Sequence, residues 1–297
     1  MKKVKSLVLL LILFLPFVTA CSKAASPKKA NDKLKITTTF FPVYEFTKEV
    51  VGKYGDVQMI MPPNVEPHDF EPSAKNMAQI SDSDLFVYNS NNLEAWANSA
   101  KKSSSKKTVF VEATKGIDLL KDGDKTDPHT WLDPVLAKKE VENISQQIIK
   151  KDPKHKSYYE KRTQNYLKEL DNLNQQYQNM SDHAKEHTFI VQHEAFSYLA
   201  NQYHLTQKAL TGVNDTEEPS AKQLADIQKY MQEHNLHYIF VEDGLSPKIA
   251  NTIKDATHAQ LLTLNTMEQV SKKEISDGAT YISIMESNLK ALEKALH

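Results

Sequence analysis

The sequence predicts an α/β protein with two mainly parallel lobes joined by a long rigid backbone helix. Short β-rich runs alternate with helical stretches in two sets of four, and one long stretch of helical pattern separates the sets. Such alternation favours parallel sheets covered by helices. The predicted strands lie at 36–40, 57–61, 85–88 and 109–111, then at 189–191, 208–210, 238–241 and 261–264. The intervening helices are predicted at 73–80, 134–150, 194–203, 220–233 and 246–257.

The long helix is predicted between the two sets of strands. From Pro153 to about Met180 the chain has neither glycine nor a second proline. Mostly apolar residues recur there at alternating steps of three and four, which places them on one helix face. A helix of this length spans about 40 Å. A coiled-coil partner could bind the same face, but we favour a helix that lies across both lobes and joins them. The stripe consists of Tyr159, Thr163, Tyr166, Leu170, Leu173, Tyr177 and Met180.

The first 20 residues have the pattern of an export signal. Three lysines precede an apolar run at 7–18, and small residues follow it. The run is too short to span a bilayer comfortably, since spanning takes roughly 20 apolar residues. We therefore predict a signal peptide at 1–20.

Cys21 is the only cysteine of the chain and directly follows this segment. Val18-Thr19-Ala20-Cys21 resembles the bacterial lipobox, and the resemblance implies that Cys21 is diacylated. The residues that follow are small, polar and basic without apolar periodicity, which is typical of a flexible tether. The predicted organisation after the signal peptide is a lipidated tether at 21–33, a first lobe at 34–152, a linking helix at 153–181 and a second lobe at 182–297.

Charge and motifs exclude several classes of function. The 37 basic and 38 acidic residues nearly cancel, so no strongly basic surface for nucleic acid is implied. No glycine-rich phosphate loop occurs, and no second long apolar segment follows the signal. His193-Glu194 begins like the HExxH motif of zinc hydrolases, but Ser197 stands where the second histidine is required.

Three of the 11 histidines stand out by their context. His68 and His193 follow predicted strands, at the strand ends where open α/β sheets bind ligands. His129 lies between two prolines, and prolines also flank the segment around His68, which limits loop freedom. Imidazole nitrogen is a good ligand for zinc and other late first-row ions. The three histidines are therefore candidate metal ligands.

Four motifs in this order resemble the zinc/manganese solute-binding lipoproteins of bacterial ABC importers, also called adhesin lipoproteins. The resemblance covers essentially the whole mature chain. It implies a metal site in the cleft between the lobes, with His68, His129, His193 and Glu268 as ligands. Asp243 is the alternative to Glu268, whose loop lacks the proline often found there in zinc members. The motifs are His68-Asp69-Phe70-Glu71-Pro72-Ser73, Asp127-Pro128-His129-Thr130-Trp131-Leu132-Asp133-Pro134, Gln192-His193-Glu194-Ala195-Phe196-Ser197-Tyr198-Leu199 and Glu217-Glu218-Pro219-Ser220.

The resemblance implies a binding protein rather than an enzyme. We expect a monomeric receptor, lipid-anchored at the outer face of the bacterial cytoplasmic membrane, that captures Zn²⁺ and delivers it to the permease and ATPase of an ABC importer. Three nitrogens and one carboxylate suit Zn²⁺ better than Mn²⁺, which favours oxygen ligands. The alternatives are a manganese-delivering or adhesive surface lipoprotein, and a secreted zinc hydrolase. The segment 121–127 lacks the histidines that many zinc members carry before the second ligand.

Overall fold

Four parallel strands form the sheet of the first lobe: β1 Leu34–Thr38, β2 Gly55–Met59, β3 Leu85–Tyr88 and β4 Val109–Glu112. Their spatial order is β2-β1-β3-β4, and Ile36 of β1 lies opposite Val57 on one side and Leu85 on the other. Because the strands are parallel, their carboxyl ends meet at one edge. The structure is a computed structural model that describes residues 33–63, 65–123, 125–213, 219–242, 246 and 248–297.

A second parallel sheet forms the other lobe. After the short antiparallel hairpin β5 Lys121–Asp122 and β6 Lys125–Thr126 come β7 Thr188–Val191, β8 Thr206–Ala209, β9 Tyr238–Val241 and β10 Gln260–Thr263. The order of the second sheet is β10-β9-β7-β8, with Val191 of β7 opposite Phe240 of β9. Both sheets are therefore parallel, as the sequence predicts.

Helices connect and cover the strands. Several helices begin at a capping box, for example Ser73 with Asn76 and Thr280 with Ser283. In each box the side chain of the first residue accepts a hydrogen bond from the backbone N–H of the second, and the side chain of the second accepts one from the backbone N–H of the first. None of the helices in the described part of the chain is long and apolar enough to cross a membrane. The helices are α1 Phe41–Val51, α2 Ala74–Asp82, α3 Ala97–Ser103, α4 Pro134–Lys151, α5 Lys156–His183, α6 Ser197–Gln202, α7 Ala221–Glu233, α8 Lys248–Thr257, α9 Lys272–Ser276 and α10 Tyr281–Leu296.

The 28-residue helix α5 is the long helix that the sequence predicts, and it starts after a 3₁₀ turn at Pro153–His155. All seven residues of the predicted stripe are buried. All of them except Thr163 belong to one hydrophobic core that continues into both lobes, and α5 packs against α1, α4 and α10. The linking role of the helix therefore has a direct packing basis.

Several predicted boundaries were wrong. β1 begins and ends two residues earlier than predicted, because Phe40 is the cap of α1 rather than the end of a strand. The predicted helix at 194–203 is only the six residues of α6. The sequence also predicts a helix at 276–281, but residues 277–280 form the break between α9 and α10, where Gly278 has a left-handed φ of 89°.

Trp131 ties the two lobes together on the site side of the core. It is fully buried, and its indole Nε1–H donates to the carbonyl oxygen of Thr266 at 2.8 Å. The hydroxyl of Tyr281 donates to the Trp131 carbonyl oxygen at 2.7 Å, and the ring of Phe40 packs edge-on at 4.9 Å. A loop of the first lobe is thus bonded to two segments of the second.

We predict that Trp131→Phe destabilises the fold through the bond to Thr266. The lost donor leaves a buried carbonyl without a partner, which costs about 1–3 kcal/mol in addition to the lost ring volume. Denaturant unfolding measures the change. Trp96→Phe is the matched control, because Trp96 Nε1 has no hydrogen-bond partner among the described residues. An equal decrease in the free energy of unfolding of the two variants would show that the bond to Thr266 does not contribute to stability.

Candidate metal centre

His68 lies in a 3₁₀ turn, Pro67–Asp69, that follows β2 and precedes α2. Pro67 is buried and fixes the start of the turn. The backbone N–H of His68 donates to Oε1 of Glu66 at 3.3 Å. The turn therefore directs the imidazole toward the other lobe, where its Nε2 meets Glu268.

His129 is held by Asp127. One carboxylate oxygen of Asp127 accepts from the backbone N–H of His129 at 2.9 Å and lies 2.7 Å from the ring Nδ1. A proton on Nδ1 leaves Nε2 as the atom with a free lone pair. The hydroxyl of Tyr198, on α6 of the second lobe, donates to the Asp127 carbonyl oxygen at 2.7 Å. Nε2 of His129 consequently faces the centre of the cleft.

His193 comes two residues after the end of β7. Its ring Nε2–H donates to the carbonyl oxygen of Val213 at 2.8 Å. This bond fixes the tautomer of the neutral ring, in which Nδ1 carries the lone pair. Nδ1 lies 3.2 Å from Oε1 of Glu242 and 3.7 Å from Oε2 of Glu268.

Glu268 lies in the loop after β10, and a strained backbone holds it in place. Met267 has a left-handed φ of 62°, which is unfavourable for a residue with a long side chain. The side-chain oxygen of Asn265 accepts from the Met267 N–H at 2.7 Å and supports this conformation. Together with the bond from Trp131 to Thr266, this directs the Glu268 carboxylate into the cleft.

The four side chains converge on one point. His68, His129, His193 and Glu268 each offer one ligand-type atom, and these atoms all lie within 4.8 Å of one another. Oε1 of Glu268 is 3.3 Å from His68 Nε2 and 3.2 Å from His129 Nε2, and the two Nε2 atoms are 3.3 Å apart. Tetrahedral zinc with bonds of about 2.0 Å has ligand atoms about 3.3 Å apart. These three distances match one face of such a tetrahedron, while His193 Nδ1 lies farther away, 3.7 Å from Oε2 of Glu268.

The buried polar atoms of this cluster fit a cation. His193 Nδ1 and Glu268 Oε1 are inaccessible to solvent and have no hydrogen-bond partner of good geometry among the described residues. Buried polar atoms are rarely left in this state, because the loss of hydration costs free energy. Nitrogen and oxygen ligand atoms about 3.3 Å apart are expected around a tetrahedral metal ion. The donor set could hold a divalent cation.

Without a metal, protons are the counter-charges of the cluster. Burial opposes protonation of His129, but the carboxylates of Asp127 and Glu268 outweigh it and raise its pKa to about 9. Burial likewise opposes protonation of His193, yet Glu242 and Glu268 raise its pKa to about 10. Burial alone would raise the pKa of Glu268, but the positive charges of His129 and His193 hold this pKa well below its ordinary value.

The structure brings together the four residues that sequence reasoning selected; that they bind an ion stays a prediction. Asp243, the alternative ligand, and Glu217 and Glu218 of the fourth motif lie outside the described residues. So do the signal peptide and Cys21. Sequence reasoning missed Glu242, which directly follows β9 and lies beside His193. The rule that ligands gather beyond strand ends could have found it.

The chain was compared with protein families, curated proteins and solved structures. The family described as "ZnuA: Zinc-uptake complex component A periplasmic" matches residues 36–295. The high-affinity zinc uptake system protein ZnuA of Bacillus subtilis is 44% identical over 94% of this chain and 93% of its own length. The zinc-binding lipoprotein AdcA of Streptococcus pneumoniae is 38% identical over 99% of this chain, which spans only 61% of AdcA.

A solved structure gives the same result for the fold. The laminin-binding protein of Streptococcus agalactiae, described as bifunctional with adhesin and metal-transporting activity, is 39% identical. The alignment covers 90% of this chain and 100% of that chain, with a TM-score of 0.84. Sequence and fold agree: the chain belongs to the ZnuA family of periplasmic zinc-uptake solute-binding proteins.

Proposed function

We propose that this chain is an extracytoplasmic receptor that captures Zn²⁺ through His68, His129, His193 and Glu268 and delivers it to the permease of an ABC importer. The observation that carries the proposal is the convergence of three imidazole nitrogens and one carboxylate on a buried point. The names of the relatives, a zinc uptake protein and a zinc-binding lipoprotein, support the choice of ion.

The donor chemistry also favours Zn²⁺. Imidazole nitrogens and a single carboxylate are ordinary zinc ligands, whereas Mn²⁺ favours oxygen donors and higher coordination. Asp127 and the Val213 carbonyl orient two of the rings before an ion arrives, which reduces the entropy lost on binding.

The site is built to hold an ion rather than to activate water. A catalytic zinc keeps a coordination position open for water, whereas four protein donors fill a tetrahedral site. Ser197 also stands where an HExxH motif requires its second histidine. These points support a receptor over the secreted hydrolase.

Anchoring and delivery are part of the same proposal. Cys21 after an export signal supports a lipid anchor that keeps a monomeric receptor near its permease and ATPase, and a relative is named a lipoprotein. Adhesion is the alternative function, because adhesin and metal-transporting activities are described together for the streptococcal neighbour.

Zinc titration of the purified protein tests the ligand set. We expect one tightly bound zinc, with affinity reduced at least about 100-fold in His129→Ala, His193→Ala and Glu268→Gln, which is beyond the 10–100-fold effect typical of residues behind the ligands. His237→Ala, a change at an exposed histidine, is the matched control and should leave the affinity unchanged. A wild-type protein without stoichiometric zinc, or equal losses in the control, would contradict the proposal.

Zinc binding should release about two protons at pH 7, because His129 and His193, with pKa values of about 9 and 10, must become neutral. Apparent zinc affinity therefore rises with pH toward 9–10. The metal-free fold follows the opposite trend. The protonated histidines increase the free energy of unfolding of the metal-free protein. This contribution is complete below the unfolded-state histidine pKa of about 6.5 and is lost as pH rises through 9–10.

Calorimetry in buffers of different ionisation enthalpy counts these protons. Asp127→Asn is the diagnostic variant, since it keeps an acceptor for His129 but removes the charge that raises its pKa. We expect proton release to fall toward one per zinc in that variant. Zinc binding without proton release in the wild type would exclude protonated histidines in the metal-free site.

Cys21→Ala separates anchoring from binding. In a bacterium that lacks its own zinc receptor, we expect the variant to appear in the medium or as a soluble extracytoplasmic protein and still to bind zinc. His193→Ala should remain in the membrane fraction but fail to support growth when zinc is scarce. Membrane retention of Cys21→Ala would refute the lipid anchor, and growth supported by His193→Ala would refute zinc delivery through this site.

A further inference from the structure

Glu242 is a buried carboxylate at the edge of the cluster that the four proposed ligands leave unexplained. It follows β9 and is 8% exposed. Its Oε2 accepts a hydrogen bond from the Thr266 hydroxyl at 2.9 Å. Its Oε1 has no hydrogen-bond partner among the described residues.

Oε1 of Glu242 lies beside one of the four proposed ligands, His193. Oε1 lies 3.2 Å from Nδ1 of His193, the ring atom that carries the lone pair, and the two atoms do not form a hydrogen bond of good geometry. This distance equals the spacing of Glu268 from His129 across the same cluster. When a metal ion displaces the proton of His193, both atoms are acceptors, arranged like neighbouring ligands of one cation.

Thr266 keeps the carboxylate in this orientation. Its hydroxyl binds Oε2 of Glu242, and its carbonyl oxygen accepts from Trp131. Thr266 is itself buried and lies two residues before Glu268. The segment that positions Glu268 therefore also turns the second carboxylate toward the proposed ion.

We propose that Glu242 is a second carboxylate donor of the metal site, which reaches the ion beside His193 and allows coordination to expand beyond four. The proposal rests on the function proposed above. A second oxygen donor changes the set from three nitrogens and one oxygen to three nitrogens and two oxygens. Mn²⁺ requires more oxygen ligands than Zn²⁺ and gains more from the addition. Glu242 thus determines how well the site accepts ions of higher coordination.

The ratio of Mn²⁺ to Zn²⁺ affinity in Glu242→Gln tests this role. Glutamine keeps the shape and an acceptor for Thr266 but removes the charge. The change also eases deprotonation of His193, but this proton competition is the same for both ions and cancels in the ratio. We expect the ratio to fall at least about tenfold relative to the wild type, which corresponds to a difference of about 1.4 kcal/mol.

Co²⁺ absorption gives a second readout, because d–d bands strengthen as coordination falls from five to four. We expect stronger bands in Glu242→Gln than in the wild type. Glu94→Gln is the matched control: Glu94 is equally buried in the first lobe, where it accepts from Thr39 and the backbone of Ser90. Its affinity ratio and spectrum should match the wild type.

The outcomes separate the two proposals. An unchanged ratio and spectrum in Glu242→Gln, with tight zinc binding by the wild type, would overturn the role of Glu242 alone and leave it as a partner of protonated His193. A wild-type protein that binds neither ion would overturn the receptor proposal itself. If the ratio of Mn²⁺ to Zn²⁺ affinity falls equally in Glu94→Gln, the effect does not depend on the position of Glu242, and the inference is refuted.

Discussion

A carboxylate buried between two lobes requires a compensating positive charge, and the organisation of the candidate metal centre follows from this requirement. Glu268 is almost completely shielded from water, where an isolated ionised carboxylate would be very costly. In the metal-free protein, protons on His129 and His193 supply the charge. A divalent ion would supply it from the same location. Protons and a metal ion would therefore compete for the same place, which is the origin of the pH dependence expected for metal binding.

The lobes are held together closely enough for such a centre to exist. The core around α5 continues into both lobes, so a wide separation would expose apolar surface. On the site side, Trp131 bonds to Thr266, and the Gln269 amide donates to Glu66 at 3.0 Å, joining the loops of Glu268 and His68. Rearrangement of these loops costs less than movement of whole lobes, since it breaks a few hydrogen bonds and leaves the core intact.

Sequence periodicity predicted the two parallel sheets and α5, because strand runs and a helical stripe depend on local patterns. It failed at Phe40, where a short apolar run fits a strand or a helix equally well, and at the start of α10, where Gly278 interrupts the helix. The histidines could be selected from strand ends and prolines. Glu268 was identified through the family resemblance alone, because its position depends on the unusual backbone of Met267 and on a bond from Trp131, far away in sequence. Glu242 was missed for the same reason: its orientation depends on Thr266.

The four proposed ligands are not held equally, which matters for a receptor that must also release its cargo. The side chain of His68 is 7% exposed, against 0% for His129, 1% for His193 and 2% for Glu268. His129 and His193 are each fixed by a hydrogen bond through the ring nitrogen opposite the site. His68 is oriented through the backbone of its turn and through the contacts of its Nε2, inside the site, with His129 and Glu268. The free energy needed to withdraw a ligand is therefore lowest for His68, while His193 and Glu268 of the second lobe stay buried. A site that is rigid at three donors and adjustable at the fourth can hold an ion tightly and still release it after a local change.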